Sequence, residues 1–94
     1  MTTRAKVLAL IADERDHQQA KWGGSHHWGN GDCSSATVAA ASQAGDTASL
    51  LRLAVLTEEL GEVARAVHER DPDSLAKELV QVAAVAVAWR EALG

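Results

Sequence analysis

Glu58, Glu59 and Glu62 stand together in one apolar stretch of the chain, and Glu78 and Gln81 stand in the next. Glu59 and Glu62 are three apart, as are Glu78 and Gln81, a spacing that puts each pair on one face of an α-helix. The short connection Arg70-Asp-Pro-Asp-Ser74 makes the two helices antiparallel neighbours. Glu59 then lies level with Gln81 and Glu62 level with Glu78, both pairs mirrored about position 70. These four oxygen-bearing side chains are expected to converge at one height of the hairpin. The rest of that strip is apolar: Val55 and Ala66 on one helix, Val85, Ala88 and Ala92 on the other. Acids on a low-dielectric strip repel one another and lose hydration. A hard divalent cation, Mg²⁺ or alternatively Mn²⁺, relieves both and prefers oxygen ligands. The competing reading is a solvated helix face, with Glu58, Glu59 and Glu62 paired to Arg52 or Arg65.

The elements that must position these groups read as helices throughout. The first is expected from about Thr3, a candidate N-cap, to Ala20, with Val7, Leu8, Leu10 and Ile11 on its apolar face. Its second half, Asp13–Lys21, is strongly polar. The following stretch, Trp22–Asp32, holds four glycines and an Asn-Gly pair and reads as a loop. Ser34–Ala44 reads as a short Ala-rich helix ended by Gly45. Asp46 or Thr47 caps a helix running to about Glu69, and Asp71 or Asp73 caps a last one from about Ser74 to Leu93, with Pro72 in the first turn. In the hairpin, Leu53, Leu56, Leu60, Val63 and Val67 are expected to pack on Leu75, Leu79, Val82, Ala86, Trp89 and Leu93 as a coiled-coil-like seam. The acids sit one position back from these stripes. With no strand-like alternation, the expected fold is an all-α antiparallel bundle of four or five helices.

A length of 94 residues allows one domain, residues 1–94, whose core is marginal unless a partner shares it. The last helix is apolar nearly all round from Leu79 to Trp89, so a homo-oligomer, dimer or tetramer, is expected. A net charge of −4 argues against nucleic acid as a partner but leaves a free nucleotide open, since a bound cation reverses the local sign. Cys33 is alone, which excludes an internal disulfide. No apolar run has the length of a signal peptide or a membrane span, and a cytoplasmic protein is expected. His26, His27, Asp32 and Cys33 lack a standard zinc spacing. Gly23-Gly24 and Gly29-Asn-Gly31 lack the ending of a phosphate loop. Ser34 and Ser35 have no nucleophile environment.

Glu58-Glu59-Leu60-Gly61-Glu62 followed by Glu78-Leu79-Val80-Gln81 resembles the EExxE…ExxD signature of MazG-like nucleotide pyrophosphohydrolases. Glu14-Arg15-Asp16-His17-Gln18-Gln19-Ala20-Lys21-Trp22-Gly23 is similar to the ERxxQxxKWG segment of small MazG-like proteins. The run from Glu78 to Trp89 is similar to a small subgroup of the same family. The resemblance implies hydrolysis of a nucleoside triphosphate to monophosphate and pyrophosphate. It gives Glu59, Glu62 and Glu78 to Mg²⁺, and Glu58 or one of the ligands to the attacking water. Lys21 would meet a phosphate, Gln18 would bond a base or sugar, and Trp22 would stack on a base. The departure is Gln81, where the family has Asp. An amide carbonyl still coordinates a hard ion but brings no charge. The alternative is a nucleotide- or metal-binding module with weak or no turnover.

Overall fold

The computed structural model describes residues 2–22 and 47–94. Among them are three helices and no strand: α1 (Thr3–Trp22), α2 (Thr47–His68) and α3 (Pro72–Leu93). The expected Ser34–Ala44 helix lies outside the described residues, as does the loop with His26, His27, Asp32 and Cys33. None of the described helices is long and apolar enough to cross a membrane. The cap of α1 is Thr2 rather than Thr3, its hydroxyl accepting from the Ala5 N–H at 3.1 Å.

The reversal between α2 and α3 is compact because one residue serves both helices. Arg70 takes a left-handed conformation, φ 54°. The Asp71 N–H reaches back to the Ala66 carbonyl at 3.0 Å and the Arg70 N–H to the Val67 carbonyl at 3.2 Å. This is the Schellman pattern, which satisfies the last carbonyls of a helix. Asp71 then opens α3. Its carboxylate accepts from the Ser74 N–H at 3.1 Å and from the Ser74 hydroxyl at 2.7 Å, with Pro72 in the first turn. These bonds from Ser74 hold the Asp71 carboxyl below the usual carboxylate range.

Packing of α2 on α3 follows the expected register on a partly different face. Val55, Val85 and Ala88 form the buried cluster, with Leu51 and Leu56 packed against it, and Ala54, Ala66 and Ala84 are also buried. Val55 and Val85 mirror each other about position 70, as the hairpin requires. The expected seam is the contact only in part: Leu56 packs against the cluster, and Val63, Leu75, Val82 and Trp89 are half-buried. Leu53, Leu60, Val67, Leu79 and Leu93 are exposed, Leu60 at 57% and Val67 at 58%, and so is Ala86. The interior strip is the one that also carries the acids. Its alanines and valines let two helix backbones approach closely and pack densely, which a row of leucines would prevent.

The first helix lies across α3. Ala5, Ile11, Glu14, Arg15 and Gln18 are its partly or fully buried residues. On one flank Leu10, Asp13 and His17 border Ala76, Lys77 and Val80; on the other Leu8, Ala12 and Gln19 border Val87 and Glu91. Arg15 clamps the crossing, donating to the Glu91 carboxylate at 2.8 Å and to Gln19 Oε1 at 2.7 Å.

A left-handed arginine carries a steric penalty that glycine lacks. Arg70→Gly should raise stability by about 1 kcal/mol, read as a shifted midpoint in chemical denaturation with an unchanged slope.

Candidate functional site

The α2–α3 strip changes character along its length. Val55 and Val85 close one end; one turn nearer the loop α2 presents Glu59 and α3 presents Gln81, with Glu78 a turn further on. The Glu59 and Glu78 carboxyls approach within hydrogen-bonding reach across the seam. Burial holds the Glu59 carboxyl above its ordinary value, reinforced by the negative charges of Glu78, Glu58 and Glu62. Glu59, Glu62, Glu78 and Gln81 are all half-buried, whereas Glu58 is exposed. Glu62 also reaches its own helix neighbour Arg65, 3.4 Å away, the pairing that the solvated-face reading expects. Among the described residues, no group of three or more His, Cys, Asp or Glu side chains is gathered closely enough to hold a metal ion. The expected four-oxygen cluster is thus drawn as a Glu59–Glu78 pair with Gln81 nearby and Glu62 turned toward Arg65. The chemistry of these donors, though not their present spacing, is what a hard divalent cation prefers. The set is all oxygen, it is half-buried, and its negative charges add to burial in raising the proton affinity of Glu59.

The helix α1 turns this acidic seam into one wall of a cavity of about 270 Å³. Glu59, Lys77 and Gln81 come from the hairpin, and Glu14, His17, Gln18 and Lys21 come from α1. The spacing of Gln18 and Lys21 puts both on one side of α1, and Gln18 is the most enclosed polar residue there, 4% exposed. Its Oε1 is buried and accepts no hydrogen bond among the described residues. A buried acceptor without a donor is unfavourable by about 1–3 kcal/mol, so a cavity wall is where a ligand's N–H or O–H group offsets it.

The structure thus brings Gln18, Lys21, Glu59 and Gln81 to one cavity, with Glu78 against Glu59. Glu58 does not line it. For Trp22 only the backbone, at the end of α1, is described. Glu14, His17 and Lys77 also belong to the cavity; from the sequence Glu14 is only a motif residue without an assigned role, and His17 and Lys77 have none. Glu14 was visible as the residue one turn before Gln18, and Lys77 as the residue one turn before Gln81, both at helical i,i+4 spacing.

Residues 47–91 match the family model of the MazG nucleotide pyrophosphohydrolase domain. That span contains α2, the turn and nearly all of α3, so the MazG-like resemblance read from the sequence holds over the whole hairpin. No curated protein and no solved structure matches the chain.

A carboxyl whose folded-state pKa is raised binds its proton more tightly folded than unfolded, so stability falls as pH rises from the ordinary carboxylate range through the folded value. Glu59→Gln should therefore melt higher than the parent at neutral pH in chelator. The two proteins should converge near pH ~4, where the unfolded glutamate also becomes protonated. Thermal melts at both pH values check this, and equal melting at neutral pH would remove the repulsion from the account.

Proposed function

We propose that the chain hydrolyses a nucleoside triphosphate to the monophosphate and pyrophosphate with Mg²⁺, or Mn²⁺, held by Glu59, Glu62 and Glu78 and by the Gln81 carbonyl. The observation that carries this reading is the cavity in which Glu59 and Gln81 of the hairpin face Gln18 and Lys21 of α1. One wall offers oxygen ligands, and the other offers an ammonium for phosphate and the unpaired Gln18 Oε1 for a donor on the base or sugar.

When bound, the ion would polarise the phosphates and offset charge at the reacting phosphorus. The protein's own groups do the rest. The Lys21 ammonium pairs with a phosphate oxygen. The Gln18 amide, fixed by its burial, hydrogen-bonds the base or sugar, and the Trp22 ring is assigned to base stacking. Water is held by Glu58 or by Glu59. Glu59 is the better placed, since it lines the cavity and its environment makes it the stronger base. The water oxygen bonds to the α-phosphorus, its protons pass to the base and to solvent, and pyrophosphate leaves.

A second reading has an observation of its own. Gln81 brings no charge, and Glu62 is engaged with Arg65. Such a site binds a nucleotide with its ion but turns over slowly or not at all.

The exposed row Leu53, Leu60 and Val67 on α2, with Leu79 and Leu93 on α3, belongs to the same proposal. Exposed large apolar residues on both helices of so small a chain are covered by a second copy, giving a homo-oligomer. Sedimentation should show an oligomer at micromolar concentration, and Leu60→Glu should shift it toward monomer. A compact parent monomer would contradict this.

Activity is tested with a panel of nucleoside triphosphates and Mg²⁺ or Mn²⁺, following pyrophosphate release. Release supports the enzyme, and metal-dependent nucleotide binding without release supports the second reading. Glu62→Gln and Glu78→Gln should each weaken ion binding and cut any activity roughly tenfold or more, with the helical signal intact. Gln81→Asp should melt lower than the parent in chelator and gain more on adding Mg²⁺. No greater gain would mean that position 81 is not a ligand position.

A further inference from the structure

The hairpin wall of the cavity holds one cation, Lys77, beside Glu59 and Gln81. Lys77 lies one helical turn before Gln81, so the two share a face of α3. The neutral residue at 81 and the ammonium at 77 thus occur on the same patch of wall. Lys21 provides the opposing ammonium from α1. Glu14 and Glu59 carry the negative charge of the cavity, and Gln18 adds a buried acceptor without a donor.

That juxtaposition changes how the phosphate charge is met. An acid at position 81 would add a negative charge whose use is to hold a further divalent ion, and that ion would then meet the phosphates. An amide at 81 cannot recruit it. A lysine one turn away supplies positive charge directly, on a flexible stem, as a point charge suited to phosphate oxygens. It needs no ligand set and no desolvation of a second ion. Like Lys21 it is exposed, so it can swing onto a ligand that enters from solvent.

We propose that Lys77 is a phosphate-binding residue whose ammonium takes, on α3, the place of a second divalent cation. The site then works with one ion, ligated from the Glu59–Glu78 side, and two lysines on facing walls grip the phosphate chain. This rests on the nucleotide reading above, and the experiment separates the two.

The probes are Mn²⁺ alone, with bound ion counted by electron paramagnetic resonance, and a nucleoside triphosphate analogue with a methylene bridge between its α- and β-phosphorus atoms. The parent should bind the analogue with a single Mn²⁺. Lys77→Gln should weaken analogue binding about tenfold or more while leaving Mn²⁺ binding without nucleotide as tight or tighter, because a nearby positive charge has gone. Lys77→Arg keeps the charge and should recover most of the affinity. In the Lys77→Gln background, Gln81→Asp should restore analogue binding and bring in a second Mn²⁺. Lys77→Gln binding the analogue as well as the parent does would overturn the proposal. So would an equal loss of Mn²⁺ binding without nucleotide, which marks a structural role instead. A parent that binds no analogue even with Mn²⁺ overturns the nucleotide reading itself and this inference with it.

Discussion

The chain reversal at Arg70 and Asp71 is the constraint on which the hairpin depends. Asp71 closes α2 through its N–H and opens α3 through its carboxylate, so no slack separates the two helices. With the turn fixed, the heights of later residues are fixed too: Val55 comes level with Val85 and Glu59 with Gln81, while Glu78 lies one turn nearer the loop, within reach of Glu59. A residue added there would advance α3 by about 1.5 Å and rotate it by about 100° relative to α2. Gln81 and Lys77 would then leave the wall they share with Glu59.

Register was legible in the sequence because it follows from the turn alone. The contact face was legible only in part, because two candidate stripes have the same coiled-coil spacing. Leu53, Leu60 and Val67 repeat as regularly as Val55, Glu59, Glu62 and Ala66, and hydrophobicity favours the leucines. Close approach of helices favours the smaller side chains, and that preference decided the packing. On α1, the family resemblance pointed to Gln18 and Lys21, which do line the cavity. His17 and Lys77 were passed over, and Glu14 was left without a role, because a polar residue on a polar helix face carries no signal until a neighbouring helix is seen to lie against it.

The acidic seam and the exposed leucines share one origin. The strip between α2 and α3 holds Glu59, Glu62 and Glu78 where a purely structural hairpin would place more apolar side chains. What remains for the interior is mostly alanine and valine. Several large apolar residues turn outward, and each forgoes part of the about 1.5–3 kcal/mol that full burial is worth. A site built into the core thus shifts part of the chain's stability to whatever covers those residues.

The position of α1 gives the cavity a further property. Its two walls belong to elements distant in sequence, and they are held together by a modest interface whose clearest clamp, Arg15 to Glu91, is an exposed ion pair. A ligand that touches Gln18 and Lys21 on one side and Glu59 and Gln81 on the other is then itself a cross-brace between α1 and the hairpin. Amide protons of α1 around Gln18 should be the ones whose exchange slows most when the cavity is filled, while those around Val85 change little. Binding and the docking of α1 are, in this arrangement, two descriptions of one equilibrium.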